Sequence, residues 1–140
     1  MVERRLWDPA CGIQDGYTLD ILEPGMKLPA GYVSLRIGDS PALFYLGHIG
    51  YRVYEGFRGH GYAGRAVRLL FPLMRDQGLH TLVITTNPEN AASRATCRNL
   101  GCALESIVAV PDDYREICLG ATHKCRYILS PYAPESVGPQ

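Results

Sequence analysis

Arg58-Gly59-His60-Gly61-Tyr62-Ala63-Gly64 sets three glycines in seven residues, between an apolar run at Ile49–Val53 and a helical pattern that opens at Ala63. A glycine turn that ends a strand and starts a helix presents backbone N–H groups without intrahelical partners, and the helix dipole adds partial positive charge there. Glycine also lets a phosphate approach the backbone closely. The chemistry that suits this loop is the binding of a diphosphate. A tight strand-to-helix turn with no ligand uses the same residues, so the loop alone leaves both readings open.

Gly59, Gly61 and Gly64 spell G-x-G-x-x-G, the dinucleotide fingerprint, which is weak by itself. A nicotinamide-binding oxidoreductase also needs an acidic residue about 20 positions on to hold a ribose. That region is Ile84-Thr85-Thr86 here, and several strands precede the loop, where the fingerprint strand is usually the first. No Gly-Lys-Ser/Thr follows, which excludes a P-loop, and the length and missing motifs exclude a protein kinase.

For proton transfer, His48 is the residue beside this strand whose ordinary pKa of about 6.5 fits. As part of the strand it lies on the face opposite Ile49 and Tyr51. Glu55 is a second, weaker base. A histidine in a strand also serves as a packed, hydrogen-bonded residue. Five cysteines, an odd number with no apolar leader, argue against a disulfide framework. Cys118, His123 and Cys125 lie close together, but no second ligand pair of zinc-site spacing accompanies them, so no metal is expected.

The elements that must position these groups follow from periodicity. Tyr17–Leu22, Gly31–Ile37, Leu43–Tyr45, Gly47–Tyr54, Leu79–Thr86, Ala103–Val110 and Lys124–Leu129 read as extended. Ala63, Val67, Leu70 and Met74 recur at helical spacing up to Gly78, with Pro72 expected to kink the helix. Asn87-Pro88 predicts a helix start, with Asn87 as cap, running to about Leu100. Strand, helix, strand with short loops implies a parallel crossover, and the flanking hairpins imply antiparallel edges. The expected fold is α/β (α+β) with a mixed, mostly antiparallel sheet. One domain over 1–130 is expected, with a mobile Pro-rich tail at 131–140.

Hydrophobic residues make up 46% of the 140, enough for a core, and the formal net charge is zero. That balance argues against a nucleic-acid partner. With no membrane-spanning apolar run and no leader, a cytoplasmic protein is expected.

Two motifs in order are far more specific than the loop. Arg58-x-x-Gly61-x-Ala63 resembles the Arg/Gln-x-x-Gly-x-Gly/Ala signature of the GCN5-related N-acetyltransferases. Asn90-x-x-Ser93 followed by Leu100-Gly101 resembles the Asn-x-x-Ala…Leu-Gly-Phe run of the same family. The likeness covers roughly Gly47–Cys102, with Ile49–Val53 as the family's fourth strand and Leu79–Thr86 as its fifth.

The resemblance implies an acetyl-CoA-dependent N-acetyltransferase. The fourth and fifth strands would splay, and pantetheine would lie along Tyr51–Val53. In a pocket built around Arg58–Gly64, amides from Gly59, His60, Gly61, Tyr62, Ala63 and Gly64 would hold the pyrophosphate, with Arg58 a further cofactor-binding residue. A backbone N–H near Val53 would meet the oxyanion, and Asn90 and Ser93 would contact the coenzyme. Arg65, Arg68, Arg94 and Arg98 lie near enough in sequence to meet its 3′-phosphate, although a solvated helix face explains them as well.

The departures are equally specific. The family's tyrosine acid, seven residues after the asparagine, is Cys97 here, and a glutamate base five residues before it is Thr85. A cysteine thiol ordinarily titrates at about 8.5, close to the leaving thiol, so Cys97 is a weak acid for that thiol. Tyr114 and Tyr127 are candidates for lining the acceptor pocket, with core packing as the alternative. The acceptor, an amine of a small molecule or peptide, has no obvious wall. Glu23–Ala30, with Pro24, Gly25 and Pro29, is too short for the family's two helices. That implies a cleft that is open or is completed by a second copy of the chain. A non-catalytic acyl-CoA-binding domain is the alternative reading.

Overall fold

A computed structural model describes the backbone of residues 2–5, 13–38 and 40–132, with side chains from Asp15 onward. Its seven strands are β1 (Val2–Arg5), β2 (Ile13–Ile21), β3 (Gly31–Gly38), β4 (Ile49–Val53), β5 (Leu82–Thr86), β6 (Ala103–Ala109) and β7 (His123–Leu129). They lie in the order β1-β2-β3-β4-β5-β7-β6. Only β4 and β5 run parallel; every other neighbouring pair is antiparallel. The helices are α1 (Pro41–Leu46), α2 (Tyr62–Leu69), α3 (Phe71–Asp76) and α4 (Ala91–Asn99).

Strand alternation sorts the residues by face. Tyr17, Leu19 and Ile21 of β2, Val33 and Leu35 of β3, and Leu82 and Ile84 of β5 point into one core. Ala66, Val67, Leu70 and Met74 meet them from α2 and α3, and Cys97 and Leu100 from the α4 side. Thr18, Ser34, Arg36, Thr85 and Arg126 therefore fall on the opposite face.

Several local expectations change. Leu43–Tyr45 is helical, inside α1. Ser40 caps it by accepting from the Leu43 N–H, and Pro41 occupies the first turn, where no N–H is needed. Those cap signals outweigh an apolar run too short to distinguish strand from helix. The helix expected from Ala63 to Gly78 is two helices broken at Leu70, with Pro72 in the first turn of α3. β5 starts at Leu82, because the Leu79 N–H is held by the Met74 carbonyl at 3.0 Å.

Asn87 does not cap α4. Asn90 does, its Oδ1 accepting from the Ser93 N–H at 3.1 Å. The buried Oδ1 of Asn87 accepts no hydrogen bond among the described residues. The sheet also gains β1, paired with β2 from Val2↔Asp20 to Arg5↔Tyr17. Pro131 is buried and its carbonyl accepts from Arg75 at 2.7 Å, so the start of the expected tail is packed; residues 133–140 lie outside the described residues.

Candidate functional site

β4 and β5 share one bridge, Ile49↔Ile84. Next to it the His48 N–H donates to the Val83 carbonyl at 2.8 Å, and the Val83 N–H donates to His48 Nδ1 at 3.0 Å. Beyond this apex the strands part. Hydrogen bonds from Arg36 N–H to His48 O and from Tyr54 N–H to Ala30 O fix which residues of β4 face β3. By antiparallel alternation, the N–H and C=O groups of Tyr51 and Val53 turn the other way, into the gap. The parting of two parallel strands thus leaves the N–H and C=O of Tyr51 and the N–H of Val53 for an extended ligand, the Val53 carbonyl being taken by Arg58.

The open end of the gap meets the glycine loop. Gly59 (φ 87°) and Gly61 (φ 71°) both take left-handed backbone that glycine adopts without strain. Gly61 is the cap of α2 and supplies no side-chain hydrogen bond to the first N–H groups of the helix. A Cβ placed on Gly59, Gly61 or Gly64 would meet no other atom within 4 Å. An anion therefore has both room and donors here, as a pyrophosphate requires. Arg58 closes the loop by donating from Nε to the Val53 carbonyl at 3.0 Å.

A cleft of about 350 Å³ joins these parts. Tyr51 and Val53 line it from β4, and Arg58, Gly59, Gly61, Tyr62 and Ala63 from the loop and α2. Asn90 and Ser93 line it from α4. His60 and Gly64 do not: the His60 ring leans on Tyr62 with centroids 5.7 Å apart. Arg52, Phe57, Ala92 and Thr96 also line the cleft. Their neighbours in the motifs are the only sequence signal for them. Asn90 spends its oxygen on the helix cap, which leaves its amide N–H groups as what it can offer a ligand.

Tyr51 crosses the cleft. Its hydroxyl lies 2.7 Å from Ser93 Oγ and 4.0 Å from Cys97 Sγ. Burial, with the Cys97 thiol beside it, pushes the Tyr51 pKa well above its ordinary value. Cys97 is fully buried, and a hydrogen bond from the Cys102 thiol holds its pKa below the ordinary thiol value despite that burial. The same contact, followed by burial, pushes Cys102 up.

The other candidates are employed elsewhere. His48 precedes β4 instead of lying within it, at the closed end of the gap, where it lines a smaller cleft of about 170 Å³ with Phe44, Val83 and Arg126. Thr85 donates from Oγ1 to the Leu46 carbonyl at 3.0 Å. Glu55 is exposed in the turn after β4. Arg65 pairs with Glu23 at 2.9 Å, Arg68 donates to the Asn99 carbonyl, and Arg94 donates to the Tyr127 hydroxyl. Tyr114 stacks on Tyr45 with centroids 5.3 Å apart. Among the described residues no three His, Cys, Asp or Glu side chains converge as metal ligands, and no helix is long and apolar enough to cross a membrane.

A mixed sheet split between its one parallel pair, with a glycine loop at the mouth, is the architecture of the GCN5-related acetyltransferase domain. Residues 3–103 match the acetyltransferase (GNAT) domain family, and the chain belongs to it. No curated protein matches the chain. Among solved structures it is similar to the microcin C7 self-immunity acetyltransferase MccE in complex with acetyl-CoA and AMP, at 25% identity and TM-score 0.55 over 73% of this chain and 54% of that one. It is similar in fold to the ribosomal-protein-S5-alanine acetyltransferase of Vibrio fischeri (21% identity, TM-score 0.66, 85% of this chain and 64% of that one). A third similar fold is the ribosomal L7/L12 alpha-N-protein acetyltransferase RimL in complex with coenzyme A (22% identity, TM-score 0.59, 82% and 62%). The chain spans 54–64% of the lengths of these three structures.

Proposed function

We propose that this chain transfers the acetyl group of acetyl-coenzyme A to an amine nitrogen of a small molecule or peptide by direct attack. The observation that carries this reading is the continuity of the cleft: the outward-turned backbone groups of β4 run into the donor-rich start of α2 without a break.

In this reading the N–H groups around Gly59–Gly64 hold the pyrophosphate, and the edge of β4 at Tyr51 and Val53 holds the pantetheine arm as an added strand would. Asn90 donates to that arm. A backbone N–H of β4 facing the gap stabilises the oxyanion as the amine attacks. The C–N bond forms, the C–S bond breaks, the amine loses a proton to water, and the sulfur leaves as thiolate. At pH 7 a thiol of pKa about 8.5 leaves unprotonated at a cost of about 2 kcal/mol, so no dedicated acid is required. The Tyr51 hydroxyl stays protonated and holds Ser93 of the α4 wall beside the cleft.

A second reading has a specific basis. Thr85 and Cys97 stand where the family's base and acid are expected, which favours a domain that binds acyl-CoA without turnover. Release of free thiol from acetyl-CoA over a panel of amines separates the two. Amine-dependent release supports transfer. Tight acetyl-CoA binding with release no faster than in buffer for every amine would overturn it in favour of the binding domain.

A further inference from the structure

Pro24-Gly25, which interrupts the extended pattern after β2, turns a carboxylate toward the glycine loop. The Met26 N–H donates to the Glu23 carbonyl at 3.0 Å, and Gly25 takes a φ of 88°. Proline and a left-handed glycine are what a type II turn requires at its two central positions. The Ala30 N–H donates to the Ile21 carbonyl at 2.9 Å and closes the hairpin around it. Glu23 thus opens a hydrogen-bonded turn, and its backbone has a fixed place.

Both oxygens of the Glu23 carboxylate are used. Oε1 accepts from Arg65 Nη1 at 2.9 Å, and Oε2 accepts from the Tyr62 hydroxyl at 3.1 Å. The Arg65 guanidinium lies over the Tyr62 ring, 4.8 Å from its centre. Its Nη2 donates to the His60 carbonyl at 3.3 Å. Glu23 therefore reaches the glycine loop through two successive hydrogen bonds, and the planar guanidinium between them fixes their directions.

Direction matters because a trans peptide points its C=O and N–H opposite ways. With the His60 carbonyl drawn to Arg65, the Gly61 N–H points away from Arg65. Gly61 lines the coenzyme cleft, whereas His60, Arg65 and Glu23 do not. Glu23 and Arg65 line a separate groove of about 370 Å³ between the β2–β3 turn and α2. Away from Arg65 is therefore toward the cleft, and among the described residues the Gly61 N–H meets no acceptor. Glycines on both sides of His60 leave this peptide free to rotate unless a side chain holds it, and Arg65 does.

We propose that Glu23 is a positioning residue for acetyl-coenzyme A: acting through Arg65, it holds the His60–Gly61 peptide with its N–H aimed at the pyrophosphate. The inference rests on the coenzyme reading of the cleft and adds a residue outside the cleft on which affinity depends. An ion pair as exposed as Glu23–Arg65 contributes little to stability. Its effect lies in preorganisation, since a loop already set in its binding geometry needs no ordering when the ligand arrives. By charge alone, a carboxylate near a pyrophosphate disfavours binding, so removing it would tighten the complex. Positioning predicts the opposite sign.

The test titrates acetyl-CoA calorimetrically into wild type, Glu23→Ala, Arg65→Ala and the double variant. Glu23→Ala is expected to bind at least ~3-fold more weakly than wild type, with its melting temperature little changed. In the Arg65→Ala background the same substitution should leave binding unchanged or tighter, because the link to the loop is already gone and only a negative charge is removed. S-acetylpantetheine, which has the arm without the pyrophosphate, should protect wild type and Glu23→Ala equally against thermal unfolding. Binding by Glu23→Ala equal to or tighter than wild type, an equal loss in both backgrounds, or an equal loss for S-acetylpantetheine overturns the proposal. No binding of acetyl-CoA by wild type would overturn the coenzyme reading itself and this inference with it, whereas wild-type binding with the wrong variant pattern overturns the role of Glu23 alone.

Discussion

The Tyr51 hydroxyl lies 2.7 Å from Ser93 Oγ, and this contact bridges β4 to α4 at the point where β4 no longer pairs with β5. With strand pairing lost past Ile49, the side-chain bridge fixes the width of the gap. Tyr51→Phe should destabilise the fold by about 1 kcal/mol, the ordinary net worth of one hydrogen bond. It should also weaken acetyl-CoA binding, because the α4 wall is no longer held. Chemical denaturation and calorimetry on the variant check both. An unchanged affinity would show that the bridge does not set the cleft.

The raised Tyr51 pKa has a definite sign for stability. The folded state favours the neutral phenol, while the unfolded chain ionises near its ordinary value of about 10. The contribution is complete below about pH 10 and is lost as pH rises from there through the folded value. Wild type should therefore lose stability above pH 10 more steeply than Tyr51→Phe. Parallel curves in alkaline denaturation would contradict this.

His48→Ala should act first on stability. His48 Nδ1 accepts the Val83 N–H at the apex of the gap, and removing it strands that donor at a cost of about 1–3 kcal/mol. Turnover should fall together with the melting temperature. A hundredfold loss of turnover at unchanged melting temperature would make His48 the base.

Cys97→Ala should change turnover by less than about tenfold, below the 10²–10⁴ of a working general acid. Cys97→Tyr does not restore the family's acid. The site is fully buried, with the Tyr51 hydroxyl 4.0 Å away, so the larger ring should cost about 1–3 kcal/mol through overpacking. A Cys97→Tyr protein as stable as wild type and more active would reverse this assignment.

The parts of the site legible in the sequence are those whose chemistry is local. Arg58–Gly64 reads as an anion loop because helix starts and glycines act on their own neighbours. Asn90 and Ser93 read from a motif for the same reason, although the cap expected at Asn87 lies three residues early. Both asparagines precede helix-compatible residues, and only the bond from the Ser93 N–H to Asn90 decides between them. Helix α1 is hidden because Leu43–Tyr45 is too short to show a period, and its cap at Ser40-Pro41 equally suits a turn. The Tyr51–Ser93 bridge spans 42 positions, and alternation places Tyr51 on the helix face without naming its partner. The reach of Glu23 to Arg65 spans 42 positions as well and depends on where α2 packs, which no local pattern states.

The most direct test of the central claim is calorimetric titration of acetyl-CoA into wild type, Gly61→Ala and Gly61→Glu. Both substitutions carry the left-handed strain of roughly 1–2 kcal/mol at φ 71°, but only the second puts a charge and a long side chain into the space before α2. Binding in wild type, modest weakening in Gly61→Ala and loss in Gly61→Glu, with the two variants equally stable, is the predicted result. An affinity in Gly61→Glu equal to that of Gly61→Ala would contradict the placement of the pyrophosphate at Gly59–Gly64.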